Sequence, residues 1–426
     1  MLVHGEIWTT KEYFVYPNEY VTWAIQIVMY PYMTGLVAGA FVLSSLYHVF
    51  GVKQLKDIAR FALVFSFALL PVAMMPLLLH LQQPFRGIEV MMTPHFTSAI
   101  AAFGIVFSTY AAIVATEIWF VYRKYFVETA TALKNKPNKG MIDGIRQLIF
   151  SALTLGAWDI SNEALEKDHK AIGIMAGIGI PVACFLHGYA GFIFGSVKAN
   201  ALWMTPLMPV IFIMSAVVSG IALCLLVYTI VMEGRKRLAK LKKPGTHGYQ
   251  DLKHIRGVED HEVKLTAKYL MIFMILAFTL EILDLVFRGY TAMKSWDALR
   301  EVLYKRDIFK LVVLQYAIGN VLPFIMLLWP RITVKRAAIA SVFVLFGVFM
   351  MRWNVVIGGQ AFSSTFHGFM DYHFPWIPRN MESVKEGPPG VFLVAVTPFI
   401  LFYILNKFVP VFVGEEKEKE KEKEKA

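Results

Sequence analysis

Long apolar stretches recur along the chain and alternate with shorter polar segments. Each stretch is long enough for the helix of about 20 residues that crosses a hydrocarbon core roughly 30 Å thick. Backbone amides in lipid must be bonded within their own segment, so the stretches predict helices rather than open strands. The chain is thus predicted to be an all-α integral membrane protein with about nine transmembrane helices (eight to ten), near residues 21–50, 58–82, 97–122, 171–195, 204–232, 269–289, 311–329, 337–357 and 391–413.

We expect these spans to form two helix bundles. An outer segment, 1–20, precedes a first bundle at 21–195, which holds four spans. A second bundle and the last span occupy 204–413, and a charged low-complexity tail ends the chain at 414–426. The uncharged run within 141–158 is too short to cross, which predicts an interfacial helix there.

The basic residues of the loops predict the orientation. The loops on one side of the proposed topology hold 24 Lys and Arg, and those on the other side, including the outer segment, hold 11. Since an excess of Lys and Arg marks the cytoplasmic side, we expect the N-terminus outside and the C-terminus inside the cell membrane. The net charge of +11 then reflects topology, and it gives no reason to expect a nucleic-acid partner.

Cysteine and glycine positions limit what the spans can hold. Cys184 and Cys224 lie in predicted spans, and two thiolates cannot ligate an iron–sulfur cluster. Neither CxxC nor CxxCH occurs in the sequence, so we do not expect covalent haem. His247, His254 and His261 recur every seven residues in a polar inner loop, where we expect no metal site. Two small-xxx-small pairs, Gly35 with Gly39 and Gly173 with Gly177, predict close approaches between helices.

Ionisable residues at membrane depth are costly and are therefore functional candidates. Most of them lie toward the outer face: His80, Arg86, His95, His187, Glu281, Asp284, Arg288 and Arg352. Glu281, Asp284 and Arg288 share one helix face, either as an ion pair that neutralises buried charge or as a proton-handling group beside a redox ligand. Glu117, near the inner end of the third span, lies either at headgroup level or on a proton path.

Two stretches of the sequence are more informative about function than the overall composition is. Residues 187–220 read HGYAGFIFGSVKANALWMTPLMPVIFIMSAVVSG, and residues 81–98 read LQQPFRGIEVMMTPHFTS. Both resemble the NrfD/PsrC family, the membrane subunits of polysulfide reductase and related complexes. Residues 352–360, RWNVVIGGQ, are most similar to the longer branch that includes DsrP/HmeC and HybB.

The resemblance implies a quinone site near the outer face, no cofactor of the chain's own, and a ferredoxin-like iron–sulfur subunit docked there. Further redox subunits, such as a multihaem cytochrome or another membrane protein, would complete the complex. We therefore expect a quinol-interacting subunit that exchanges electrons between (mena)quinol and the iron–sulfur subunit, and that is not a complete enzyme alone. A proton-coupled transporter and a haem-bearing cytochrome b-type anchor are the alternatives, although the candidate histidines lie on different spans and the charges lie near one face rather than at the midplane.

Candidate roles follow from this expectation. A quinone oxygen needs a donor or acceptor within about 3 Å. The candidate quinone ligands are His80, Arg86, His95 and His187, together with Glu19, Tyr20 and Trp23 around the start of the first span. The candidate proton relay comprises Glu117, Glu281, Asp284, Arg288 and Arg352.

The loop charges lead to a prediction about topology. A reporter fused after residue 414 should be active only when it is of the kind that works in the cytoplasm, because nine crossings return the chain to the inner side. Periplasmic activity of the fusion would show that 141–158 crosses or that another span is miscounted.

Overall fold

The regular structure of the chain is helical. The computed structural model describes residues 21–95, 97–137, 140–197, 200, 202–241, 258–291, 296, 300–361 and 369–411. Within those ranges, nine helices are long and apolar enough to cross a membrane: Ile25–His48, Lys53–His80, Ala101–Lys134, Asn162–Gly195, Met208–Leu238, Asp260–Tyr290, Phe309–Leu328, Val334–Gly358 and Met381–Phe408. The prediction of an all-α protein with about nine spans is confirmed; we call these helices the first to ninth spans.

Several spans are compound or longer than the apolar pattern suggested. The second consists of a short 3-10 turn at Lys53–Leu55, then Lys56–Ala73 and Met75–His80. The third, fourth and sixth helices continue into segments predicted to be inner loops, as Ala99–Lys134, Asn162–Gly195 and Asp260–Tyr290. Charged residues end the apolar run that can cross a membrane, but they do not break a helix. Hydropathy therefore locates the end of the crossing and not the end of the helix.

Residues 141–153 form a separate helix, Met141–Leu153. At 13 residues it is shorter than the roughly 20 that a crossing needs. It packs beside the third span, where the Trp119 indole N–H donates to the Leu153 carbonyl at 2.9 Å and Phe150 contacts the rings of Tyr125 and Phe126. Its lack of a crossing agrees with the sequence analysis, and its place at the membrane interface stays a prediction.

The first span lies at the centre of the packing. It contacts the second, fourth, fifth and eighth spans and is buried along most of its length. Its approach to the fifth span is close enough to require glycine: a Cβ on Gly39 would lie 2.1 Å from the Ala216 carbonyl oxygen, and one on Gly220 would lie 2.3 Å from the Gly39 carbonyl carbon. Gly319 and Gly347 make a similar contact between the seventh and eighth spans.

The second glycine pair is different. Among the described residues, a Cβ on Gly177 would meet nothing within 4 Å, and one on Gly173 would meet only the His48 carbonyl oxygen, at 3.9 Å. The expected close approach is therefore present at Gly39 and absent at Gly177. Spacing alone cannot tell which face of a helix meets a neighbour.

The start of the first span is held by residues far along the chain. The backbone N–H groups of a first helical turn lack partners within the helix. Here the N–H of Ile25 donates to the Tyr372 hydroxyl at 3.2 Å, and that of Gln26 donates to the Glu386 carboxylate at 3.4 Å. Burial raises the pKa of Tyr372 to about 12, so this acceptor stays protonated at neutral pH.

The ninth span packs against the second through aromatic contacts. Phe402 meets Phe61 and Phe65 with ring centroids 5.2 and 5.4 Å apart. Together with the caps at Tyr372 and Glu386, these contacts join the end of the chain to its first two spans. The division into two bundles stays a prediction.

Glycine substitutions should separate close packing from open surface. Gly39→Ala should lower the free energy of unfolding by about 1–3 kcal/mol, because the added methyl overpacks the first and fifth spans. Gly177→Ala, in open space, should leave it unchanged or raise it by about 0.5–1 kcal/mol through helix propensity. Thermal unfolding of both variants in detergent gives the comparison, and equal melting temperatures would contradict the packing described here.

Candidate functional site

A fully buried arginine, Arg352, lies where the fourth, fifth and eighth spans meet. Its Nη2 lies 2.9 Å from His187 Nε2 and 2.6 Å from the Ser215 hydroxyl. Its guanidinium carbon lies 3.8 Å from the centroid of the Phe212 ring. The sequence analysis placed His187 among quinone ligands and Arg352 in a relay; the structure places the two residues in one hydrogen-bonded cluster.

The hydrogen bonds around His187 assign its tautomer. A guanidinium only donates, so Nε2 accepts from Arg352. Nδ1 then carries the proton and donates to the Thr34 hydroxyl, 3.2 Å away, and Thr34 donates to the Tyr30 carbonyl at 3.1 Å. Both ring nitrogens of His187 therefore have protein partners, which leaves neither available as a haem ligand.

The charge of Arg352 is only partly matched by its neighbours. Its Nε is buried without a hydrogen-bond partner in the described part of the chain. The groups that it contacts are neutral. Glu281 on the sixth span carries a compensating negative charge, which acts on Arg352 without a direct hydrogen bond. A buried cation held in this way attracts electron-rich oxygen and is costly to keep, so it is a functional candidate.

Amide side chains link the sixth, seventh and eighth spans. Gln315 Nε2 donates to Glu281 at 2.8 Å, and Asn354 Nδ2 donates to Gln315 Oε1 at 2.7 Å. Gln315 lies in the π-helix Phe309–Val321, and Asn354 begins the π-helix Asn354–Gly358. π-helical turns are frequent at functional sites. Sequence reasoning missed Gln315, because an uncharged amide in an apolar run carries no charge signal.

Asp284 and Arg288 form the predicted pair on the sixth span. Arg288 Nε donates to Asp284 at 2.9 Å, and the Thr205 hydroxyl donates to the other carboxylate oxygen at 2.6 Å. Both charged residues are buried. Their geometry matches the ion-pair interpretation, whereas Glu281 on the same helix bonds to Gln315 instead.

The remaining outer candidates lie elsewhere. His80 Nδ1 pairs with Glu386 at 2.6 Å, and His95 is exposed with its Nδ1 2.8 Å from the Thr97 hydroxyl. Arg86 is also exposed. None of the three contacts His187, so the structure does not bring these predicted quinone ligands together.

Trp23 is a packing residue. Its ring stacks on that of Trp203 at 5.1 Å, and its backbone N–H and carbonyl both bond to the Gln360 side chain at 3.0 Å. Glu19 and Tyr20 lie outside the described residues.

Glu117 lies near the middle of the third-span helix, beside the C-terminal end of the first span. It is fully buried, and one oxygen lies 2.8 Å from His48 Nδ1. The other oxygen has no hydrogen-bond partner in the described residues. Both interpretations of Glu117, at headgroup level or on a proton path, stay hypotheses.

An apolar groove opens between the C-terminal half of the fourth span and the N-terminal half of the fifth. Its volume is about 560 Å³, within the range of about 300–1,000 Å³ that is usual for small-molecule sites. The lining residues are Pro181, Cys184, Phe185, Gly188, Tyr189, Phe192, Pro209 and Ile213. The Tyr189 hydroxyl is buried and has no partner within the described residues.

Sequence reasoning missed Tyr189, although its position invited attention. It lies two residues after His187 in HGYAGFIFG, the stretch that carried the family resemblance. From sequence alone, a tyrosine in a span is most simply interpreted as a packing residue, because the sequence does not show whether its hydroxyl has a hydrogen-bond partner. Tyr189 is therefore the polar group that the structure adds to the candidate site.

Nine apolar helices around buried polar groups, all within the described ranges, define a multi-pass integral membrane protein. The family model described as "Polysulphide reductase, NrfD" matches residues 16–364. The chain therefore belongs to the NrfD family, as the motifs around His187 predicted. Its place in the branch that includes DsrP/HmeC and HybB stays a prediction.

Three curated relatives share parts of the chain. A selenate reductase subunit of Mesobacillus selenatarsenatis is 32% identical over 53% of this chain and 52% of its own. A putative dimethyl sulfoxide reductase membrane subunit of Halobacterium salinarum is 27% identical over 48% and 42%. An Hdr-like menaquinol oxidoreductase integral membrane subunit of Archaeoglobus fulgidus is 27% identical over 48% and 41%. The chain spans about half or less of the length of each relative.

The two buried arginines should respond differently to replacement. Arg288→Met should lower the free energy of unfolding by about 3–5 kcal/mol, because it leaves Asp284 buried and unpaired. Arg352→Met should lower it by less, because removal of a desolvated cation offsets the lost bonds to neutral groups. Thermal unfolding in detergent compares them, and a larger loss in Arg352→Met would mean that its hydrogen bonds outweigh its desolvation.

Proposed function

We propose that this chain is the quinol-interacting membrane subunit of a respiratory redox complex. In this proposal it oxidises (mena)quinol, or reduces the corresponding quinone, in the membrane and exchanges the electrons with an iron–sulfur subunit on the outer face. The relatives named as a menaquinol oxidoreductase membrane subunit and as reductase subunits support it. The chain's two cysteines, Cys184 and Cys224, are too few to hold an iron–sulfur cluster, so the electrons pass to a partner.

The groove between the fourth and fifth spans carries this proposal. It opens at membrane depth, where a quinol and its apolar tail are dissolved, and its volume suits a ring. Its lining is apolar, and one lining residue, Tyr189, has a buried hydroxyl without a hydrogen-bond partner in the described residues. A hydroxyl can donate to a quinone oxygen or accept from a quinol O–H, so one side chain can serve both redox states.

The buried cation at Arg352 can assist the chemistry through its charge. Oxidation of a quinol breaks two O–H bonds and releases two protons and two electrons. The cation of Arg352 favours loss of a proton from a nearby hydroxyl. In this proposal His187 positions Arg352 rather than binding the ring, because both of its nitrogens are already bonded.

Protons would leave through groups on the sixth, seventh and eighth spans. Glu281, Gln315 and Asn354 form a hydrogen-bonded chain near the outer ends of these helices. Asp284 and Arg288 lie further along the sixth span as a closed ion pair. We therefore assign the relay to Glu281 and its amide neighbours, with Asp284 and Arg288 as the structural pair beside it.

The exposed outer residues suit a partner better than a quinone. Arg86 and His95 lie on the surface, and the neighbouring Phe85 is almost fully exposed, at 91%. An exposed aromatic residue beside a cation is typical of protein interfaces. In this proposal the loop 83–96 contacts the iron–sulfur subunit.

Removal of one hydroxyl tests the quinol site. Tyr189→Phe should lower kcat/KM for a soluble menaquinol analogue roughly tenfold, because a lost hydrogen bond of about 1.4 kcal/mol is a factor of ten. Membranes that contain the complete complex supply the activity. The matched control is Tyr122→Phe, which removes another buried, unpartnered hydroxyl on the third span and should turn over as wild type does.

Two outcomes would contradict the assignment. Wild-type kinetics in Tyr189→Phe would exclude the groove as the quinol site. An equal loss in Tyr122→Phe would show that the hydroxyls act through general packing rather than through the substrate.

A further inference from the structure

A polar side chain lies near the middle of the seventh span. Asn320 is the twelfth residue of the 20-residue helix Phe309–Leu328. It is partly exposed. Its Nδ2 donates to the Gln315 carbonyl at 3.0 Å, which satisfies a backbone group of the π-helix. Its Oδ1 has no hydrogen-bond partner in the described part of the chain.

Asn320 lines a second groove, between the sixth and seventh spans. The groove also holds Met274, Ile275, Phe278, Thr279, Val321 and Phe324. Its volume of about 200 Å³ is below the range of about 300 Å³ and above that small-molecule pockets occupy. A recess of this size suits a side chain that inserts as a knob.

The surface around this groove faces outward. Ile275 is 51% exposed and Val321 is 44% exposed. Apolar side chains in such positions are ordinary in contact with lipid, but an amide is not. No water reaches the bilayer centre to satisfy Oδ1, and an unsatisfied polar group there costs several kcal/mol.

We propose that this groove docks a transmembrane helix of another subunit. That helix would insert one side chain into the recess and donate a hydrogen bond, from a hydroxyl or an amide, to Asn320 Oδ1. Interhelical bonds of this kind hold membrane subunits together where apolar surface gives no driving force. A phospholipid chain could fill the recess but has no donor for Asn320.

The groove is separate from the proposed quinol site. It shares no lining residue with the groove at Tyr189, and the acceptor that Asn320 offers there is an amide oxygen. A failure of the proposed quinol site would therefore leave the docking proposal unaffected, and the reverse is also true.

Photocrosslinking in membranes that contain the complete complex tests this proposal. p-Benzoylphenylalanine is placed at position 275 in place of Ile275, and mass spectrometry identifies the crosslinked peptide. We expect a peptide from an apolar span of a different subunit. Lipid adducts alone, or a peptide from a second copy of this chain, would overturn the proposal.

A pair of variants tests the hydrogen bond itself. With the probe at 275, Asn320→Leu should reduce the crosslink yield about threefold, since interhelical bonds in membranes average about 0.6 kcal/mol. Thr397→Val on the ninth span removes a hydroxyl that already bonds to the Leu393 carbonyl, so it should leave the yield unchanged. An unchanged yield in Asn320→Leu, or an equal loss in Thr397→Val, would remove Asn320 from the interface.

Discussion

The hydrogen bond between Arg352 and His187 organises the centre of this protein. The Arg352 guanidinium, on the eighth span, bonds to the fourth span through His187 and to the fifth through Ser215 and Phe212. The first span joins the cluster through Thr34, which bonds to His187. Each partner fixes a helix rotation, because a turn of one helix by a single residue would remove its polar group from the cluster. The charge thus specifies an arrangement that apolar packing alone would leave open.

Close backbone contact makes that cluster possible. Gly39 and Gly220 bring the first and fifth spans together, and a Cβ on Gly35 would lie 3.1 Å from the His187 ring. In lipid the helices gain little from burying apolar surface against each other, so short contacts and hydrogen bonds decide the packing. The close helix contacts that the glycines allow therefore bring the polar side chains of the cluster within hydrogen-bonding distance.

The two outward grooves show how small chemical differences separate two uses of a lipid-facing surface. The larger one, at Tyr189, has the volume of a ligand site and a hydroxyl that can both donate and accept. The smaller one, at Asn320, has the size of a side chain and a free acceptor. Size and hydrogen-bond polarity, rather than apolar character, distinguish a proposed quinol site from a proposed helix-docking site.

The sequence by itself determined the class, the nine spans and the family, because crossing length and motif are properties of contiguous residues. It also identified His187, Asp284, Arg288 and Arg352, since charge at membrane depth is visible in one dimension. The partners were decided only by the tertiary structure. His80 meets Glu386, 306 positions away, and Arg352 meets His187, 165 positions away. Tyr189 and Asn320 emerged in the same way, because the hydrogen bonds that a side chain lacks depend on which helix faces pack against each other.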